Sequence, residues 1–362
     1  MQNKALLIIV LSFLLFGCMK KGAYVGTEWQ KHTSVEYQGF DSKKLQELTE
    51  YVDRVGESTG LMVIYDGKVL YENGDLSEVS YIASCRKSIL SILYGKYVED
   101  KTIDLSQNIG ELGIDDRSAL LPSEKQATIG HLITSRSGVY HPAANSGYDN
   151  SFAKMRGKKN AGETFVYNNW DFNVAGYVFE KLVNKSIYQE IEEQLAIPLG
   201  FQDWHLDNQS KYGDEDISLY PAYHIYLSTR DMAKVGQLML NRGKWKDKQV
   251  ISEFWVVKST TPVTSQKEVA QRYDNQGGQM PDFSYSYMWW NFDEFNGDKR
   301  YKGAFMASGY GGQFILVIPE MKLVIAHKSN VSGLVKLGLF KGGVANATFQ
   351  KMADMVMNAK TK

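Results

Sequence analysis

The segments with strand patterning lie near the two ends of the chain, and this distribution limits the possible folds more than any other feature. Near the start, the apolar runs 61–65 and 68–71 flank Asp66-Gly67, a dipeptide typical of a tight hairpin. Near the end, the strand-like segments are residues 285–291, 303–307, 313–318 and 323–327. Between the two groups the pattern is mostly helical, with candidate helices at residues 87–99, 129–135, 169–182, 188–196 and 229–241. The two groups of strands can share a sheet only if the ends of the chain come together.

Helices at both ends complete this arrangement. Asp41 can cap a helix over residues 43–55, and a last helix is expected over residues 349–358. We therefore predict an α/β (α+β) fold in which terminal helices flank one antiparallel sheet and a mainly α-helical domain is inserted between its halves. The predicted sheet domain covers residues 39–83 and 280–362 and the helical domain residues 84–279, with the active site between them.

The first residues have the pattern of a targeting segment. Lys4 precedes an apolar run over residues 5–16, which is too short to span a bilayer but fits the hydrophobic region of a secretory signal. Cys18, after Gly17 at the end of that run, looks like a bacterial lipoprotein processing site whose thiol becomes lipidated. The alternative is a plain signal peptide with an incidental cysteine. We expect residues 1–21 to be the signal segment and 22–38 a tether, in a protein exported to the cell envelope and lipid-anchored to a membrane on its periplasmic or outer side.

Charge and composition argue against several other functions. The 41 Lys and Arg residues equal the 41 Asp and Glu residues, and no basic stripe is visible, so no nucleic-acid partner is expected. The six histidines form no metal-binding pattern, and two cysteines cannot make a thiolate zinc site, so we predict no metal and no cofactor. With Cys18 lipidated, Cys85 has no disulfide partner, and we predict that it is buried.

The most informative motif is Ser84-Cys85-Arg86-Lys87, at the start of a helical run. Positions i and i+3 are neighbours on one helix face, so the Lys87 amine can lie beside the Ser84 hydroxyl and take its proton. The Ser-x-x-Lys spacing alone is common, so its meaning depends on what else the chain supplies.

Two further segments carry groups suited to the same chemistry. Tyr167-Asn168-Asn169 offers a phenol that a neighbouring ammonium would help to ionise, and the Asn169 amide can both donate and accept. The segment Ala-Ser-Gly-Tyr-Gly-Gly-Gln at residues 307–313 leads into a strand, and glycines at a strand edge allow close approach to the backbone. Taken alone, the first segment could be a helix cap and the second a glycine-rich turn.

In this order, Ser84-x-x-Lys87, Tyr167-x-Asn169 and the glycine-rich strand resemble the serine β-lactamase and penicillin-recognising enzyme superfamily. More narrowly, they resemble its class C β-lactamase-related esterases, amide hydrolases and D-peptidases. Residues 128–138, 227–234 and 285–290 are similar to further family segments, and the likeness covers nearly everything from about residue 40 onward.

The resemblance implies roles for the motif residues. Ser84 would attack the carbonyl and form an acyl-enzyme, Lys87 would accept or share its proton, and Tyr167 would relay that proton to the leaving group. Whether Lys87 or Tyr167 is the base stays open. Asn169 would hold Lys87 and the substrate.

Other residues would shape the pocket. By the same resemblance, the backbone at Ser84 and around Gly309 and Tyr310 would form the oxyanion hole. Beside these, we expect Trp170 to lie near the substrate and His224 to line the pocket.

The third motif departs from the family pattern. Relatives that act on penicillins usually carry Lys-Thr-Gly, whereas this chain has Ala307-Ser308-Gly309. Losing a cationic partner for a carboxylate costs about 1.5–3 kcal/mol, so an efficient penicillinase is not expected, although Arg86 or Lys302 could replace the charge. We predict a serine hydrolase that acts on an ester or amide bond of a small or peptide-like substrate. The alternatives are a D-alanyl carboxypeptidase or weak β-lactamase, and a non-catalytic binding lipoprotein of the cell envelope with the same fold.

Overall fold

The structure, a computed structural model, describes residues 27–145, 148–274, 283–292, 297–329 and 343–361. The predicted signal segment, Cys18 and the first part of the predicted tether lie outside these residues. No helix within the described ranges is both long enough and apolar enough to cross a membrane.

One antiparallel sheet, built from both ends of the chain, organises the described residues. Its strands are β1 (Gly60–Tyr65), β2 (Lys68–Gly74), β9 (Ser284–Tyr285), β10 (Trp290–Phe292), β11 (Ala304–Gly309), β12 (Gln313–Ile318) and β13 (Leu323–Lys328), in the spatial order β2-β1-β13-β12-β11-β10-β9. Asp66 and Gly67 turn β1 into β2 with φ angles of 46° and 80°, the left-handed pair that a two-residue hairpin requires. Because β1 pairs with β13 along its whole length, the predicted sheet assembled from both ends is confirmed.

The middle of the chain contributes short strand pairs and most of the helices. Strand β3 (Ser80–Tyr81) pairs with β6 (Tyr226–Leu227), β4 (Ser210–Tyr212) with β5 (Ala222–His224), and β7 (Lys244–Trp245) with β8 (Lys248–Gln249). The helices are α1 (Ser42–Val55), α2 (Cys85–Glu99), α3 (Ile129–Ile133), α4 (Asn169–Val183), α5 (Ile187–Ile191), α6 (Ile197–Leu199), α7 (Thr229–Leu240), α8 (Glu253–Thr260), α9 (Gln266–Asp274) and α10 (Asn346–Ala359).

Helices cover both faces of the sheet, so its central strands are buried on both sides. On one face, Phe349 of α10 stacks on Phe314 of β12 with ring centroids 4.2 Å apart. On the other face, α7 approaches Ile315 and Val324 so closely that Gly236 has no room for a side chain. The neighbours of a strand residue alternate between the two faces, which explains why β12 and β13 are apolar throughout.

Several predicted elements differ in detail. The single strand predicted over residues 285–291 is wrong, because a turn in which Ser286 N–H donates to the Trp289 carbonyl (3.0 Å) and Met288 has a φ of 64° divides it into β9 and β10. The helix predicted over residues 188–196 ends as α5 at Ile191 and continues as a π-helical turn, Glu192–Ala196, just before Pro198, which has no N–H to donate. Helices α8 and α9 were not predicted. The domain boundaries stay a prediction.

Candidate active site

Ser84 lies at a sharp bend between a strand and a helix. Strand β3 leads to Ile82, whose N–H donates to the Ile225 carbonyl (3.0 Å), and α2 begins directly after Ser84. Between them, Ala83 has a φ of 48°, a left-handed conformation that costs a residue with a side chain roughly 1–2 kcal/mol. The bend presents the Ser84 hydroxyl and N–H at the positive end of α2, where developing negative charge is stabilised.

The Lys87 amine lies at the centre of the predicted constellation. Its Nζ atom is 3.0 Å from Ser84 Oγ, 2.8 Å from the Tyr167 hydroxyl and 2.7 Å from Asn169 Oδ1. The side chain is only 1% exposed, and its amine also lies over the rings of Tyr167 (4.2 Å) and Phe172 (4.4 Å). The structure therefore brings Ser84, Lys87, Tyr167 and Asn169 together around one nitrogen, in a geometry that allows a proton to pass between them.

The segment that carries Tyr167 and Asn169 is fixed by its neighbours. Asn168 caps α4 by accepting from Trp170 N–H (3.0 Å) and donates its amide to the Val139 carbonyl (2.8 Å). Ser135 binds the same segment through its hydroxyl, which donates to the Val166 carbonyl at 2.7 Å. The sequence interpretation had missed both anchoring residues. An asparagine directly before a helical run is a cap signal that would have identified Asn168.

The end of β11 forms the opposite wall of the site. At Gly309, a Cβ atom would lie 2.6 Å from the Ile82 carbonyl oxygen and 3.2 Å from Ala83 Cβ, so only glycine lets the strand approach the nucleophile bend. Tyr310, which follows, is 58% exposed at the rim. The described position of Gly309 beside the bend favours an oxyanion hole formed by the backbone at Ser84 and around Tyr310, which stays a prediction.

The structure does not place Trp170 at the site, and this prediction is wrong. Its indole is completely buried, and Nε1–H donates to Asp116 Oδ2 at 2.7 Å. The same carboxylate accepts the Ser218 hydroxyl (2.6 Å) and the Leu219 N–H (2.8 Å). Trp170 therefore joins distant loops inside the core, because a neighbour of Asn169 on a helix points in a different direction.

The two candidate replacement cations also lie elsewhere. Arg86 is enclosed in the protein, with 1% of its surface exposed. Lys302 is exposed before the start of β11, at the opposite end of that strand from Gly309. Neither residue therefore replaces the lysine of the third motif as a surface anchor beside Ser84.

His224 and Cys85 lie next to the nucleophile bend. The His224 ring stacks on Tyr81, three residues before Ser84, with centroids 4.1 Å apart. Burial, followed by the charge of Arg86, lowers the pKa of His224 to about 4, so it is neutral at physiological pH. Cys85 is buried as predicted, and burial raises the pKa of its thiol, which makes it a poor nucleophile. The described residues include no cluster of three or more histidine, cysteine or acidic side chains that could hold a metal ion.

Comparison with known proteins bears on the same arrangement. The family model described as Beta-lactamase matches residues 46–339. A relative from Alkalihalophilus pseudofirmus, described as an uncharacterized protein, is 23% identical over 329 residues, which cover 81% of this chain and 90% of the relative.

Solved structures show the same fold. The structure titled "Putative 6-aminohexanoate-dimer hydrolase from Bacillus anthracis" is 19% identical, with a TM-score of 0.64 over 92% of this chain and 87% of that one. A family VIII carboxylesterase is 14% identical, with a TM-score of 0.62 over 92% of this chain and 100% of that one.

Proposed function

The chain belongs to the Beta-lactamase family, and we propose that it is a serine hydrolase that cleaves an ester or amide bond through an acyl-enzyme on Ser84. One observation carries this proposal: a single buried amine, Lys87 Nζ, is within hydrogen-bond distance of both the Ser84 hydroxyl and the Tyr167 hydroxyl. A serine needs an adjacent base to become a nucleophile, and this arrangement supplies one.

Acylation follows from these contacts. Ser84 Oγ attacks the carbonyl carbon, and its proton passes to the base formed by Lys87 and Tyr167 as the new C–O bond forms. The carbonyl oxygen takes up the negative charge, which the backbone N–H groups beside Gly309 and at the start of α2 would stabilise. The bond to the leaving alcohol or amine then breaks, and the same pair returns the proton to that group.

Deacylation reverses these proton movements. A water molecule gives a proton to the Lys87–Tyr167 pair and attacks the acyl carbon, so that the acid leaves and Ser84 regains its proton. The hydrogen bond from Lys87 to Asn169 (2.7 Å) holds the amine in place through both steps.

The third motif supports a neutral substrate. Ala307 occupies the position of the usual lysine and is completely buried, so this part of β11 offers no cation to a penicillin carboxylate. An ester or amide without a carboxylate at that point fits better, in keeping with the carboxylesterase and amide-hydrolase names of the two solved relatives.

We also propose that the enzyme acts at a membrane surface of the cell envelope, held there by lipid on Cys18. The support is the order of Lys4, the apolar run 5–16 and Gly17-Cys18. Metabolic labelling with a fatty-acid probe, compared with Cys18→Ser, tests this part separately from the chemistry.

The decisive experiment is intact-protein mass spectrometry on residues 22–362 exposed to a fluorophosphonate, to p-nitrophenyl esters and to a penicillin. A covalent adduct on the wild type that is absent from Ser84→Ala is expected, with turnover of the esters and little turnover of the penicillin. Lys87→Ala should keep the fold and lose acylation.

Two results would contradict the proposal. A folded wild-type sample that forms no adduct with any reagent would favour a non-catalytic binding protein. Unchanged turnover in Lys87→Ala would remove the lysine from the mechanism.

A further inference from the structure

A buried cation without a counter-ion lies between the nucleophile and its base. Arg86 is 1% exposed, and the salt bridges made by arginines among the described residues do not include it. Burying an unpaired charge costs several kcal/mol, which an apolar residue at the same place would not cost. Packing alone therefore does not account for an arginine at this position.

Neutral groups surround the Arg86 guanidinium. Nη2 donates to Asn173 Oδ1 at 3.0 Å, and the guanidinium carbon lies 4.3 Å from the centroid of the Tyr223 ring. Nη1 and the Tyr223 hydroxyl, both buried, have no hydrogen-bond partner. The titratable groups that face the guanidinium or interact electrostatically with it are Tyr81 on β3, Tyr223 and His224 on β5, Tyr188 on α5 and Tyr167 before α4.

None of these groups neutralises the charge in its ordinary protonation state. Four are tyrosines, and His224 is held neutral. The carboxylate that interacts with Tyr223 and Tyr188 is Glu180, which is already bound by Lys211 and by the Ile187 N–H (3.0 Å). The positive charge therefore acts on the site with little screening by solvent or by a partner.

We propose that Arg86 is a positioning residue whose fixed charge favours the form of the Lys87–Tyr167 pair that has lost one proton. The inference rests on the proposed function, since it concerns the base that activates Ser84. A second positive charge on Lys87 is disfavoured near Arg86, whereas a negative charge on Tyr167 is favoured. In both cases the pair can accept the Ser84 proton at a lower pH than it could without the arginine.

The test is the pH dependence of kcat/KM for a p-nitrophenyl ester in wild type, Arg86→Met and Arg86→Lys. Unit charges some 7–10 Å apart in a protein interior shift a proton equilibrium by on the order of one pH unit. We expect the acidic limb of the Arg86→Met profile to move to higher pH by about that amount, with activity recovering toward the wild-type plateau above it. Arg86→Lys, which keeps the charge, should keep the limb near its original position.

A second variant keeps the arginine and changes only its environment. Asn173→Asp places a carboxylate beside Nη2, so it should move the acidic limb in the same direction as Arg86→Met. This variant also tests the proposal if Arg86→Met fails to fold by circular dichroism and thermal melting.

The outcomes separate the two proposals. A uniform loss of kcat/KM at every pH in folded Arg86→Met, or an unmoved limb in Asn173→Asp, would show that Arg86 is only structural. A wild type without ester turnover and without a fluorophosphonate adduct would instead refute the proposed function.

Discussion

The close approach of β11 to the nucleophile bend makes Gly309→Ala a direct test of the site geometry. The added Cβ would lie 2.6 Å from the Ile82 carbonyl oxygen, whereas ordinary contacts begin at 3.4 Å. The Ile82 backbone has little freedom to give way, because its N–H is bound to Ile225 and its carbonyl accepts from Cys85 N–H (3.2 Å). The strand and the bend must therefore separate by close to 1 Å.

This displacement acts on catalysis more than on stability. A shift of about 1 Å between reacting groups can cost roughly 10²-fold in rate, because the oxyanion donors no longer face the carbonyl oxygen that Ser84 attacks. Overpacking of this kind costs about 1–3 kcal/mol in the free energy of unfolding. We therefore expect kcat for an ester to fall 10- to 100-fold in a protein that remains folded at 25 °C.

The assay is stopped-flow release of p-nitrophenol, which separates the acylation burst from steady-state turnover. Gly303→Ala is the matched control. It precedes the same strand, and its Cβ would meet nothing within 4 Å, but its φ of 69° makes alanine costly there. If Gly309→Ala acylates as fast as Gly303→Ala, the end of β11 does not contribute to the oxyanion site.

Three further changes test other parts of the structure. Tyr167→Phe removes the hydroxyl bound to Lys87 and should lower kcat by ~10²–10⁴-fold with an unchanged melting temperature; an undiminished burst rate would exclude a proton-carrying role. Burial lowers the pKa of His327 from 6.5 to about 4, so below pH 6.5 the unfolded chain binds a proton that the folded one does not. The free energy of unfolding should then fall by about 3 kcal/mol between pH 7 and pH 4, and urea unfolding of His327→Asn should lack this contribution. Trp170→Phe leaves the buried Asp116 carboxylate without one donor and should cost about 1–3 kcal/mol, with kcat/KM per folded molecule within about twofold of wild type; a larger loss of kcat/KM would place Trp170 at the substrate after all.

Local spacing was enough to predict the core of the site. Ser84 and Lys87 face each other because three positions make nearly one helical turn, and the Asp66-Gly67 hairpin follows from the φ angles that glycine permits. The resemblance of the motif order then added Tyr167 and Asn169, which no local pattern connects to Lys87.

What the sequence did not reveal depends on contacts between distant segments. Trp170 was assigned to the pocket from its place beside Asn169, yet its partner, Asp116, lies more than fifty residues away. The left-handed conformation of Ala83 has no sequence signal, because alanine seldom adopts it. The two-residue strand β3, which pairs with β6, is too short to produce an alternating pattern.

The pairing of β1 with β13 also has a consequence for how the protein is made. Gly60 pairs with Lys328, so a growing chain completes the hairpin β1–β2 long before the strand that will cover its open edge exists. A two-stranded hairpin is marginally stable alone, and closing so large a loop slows folding. Until β13 emerges, the apolar strand β1 remains exposed to pairing with other chains. We expect a chain that stops before residue 323 to aggregate through that edge, although it already contains Ser84, Lys87 and Tyr167.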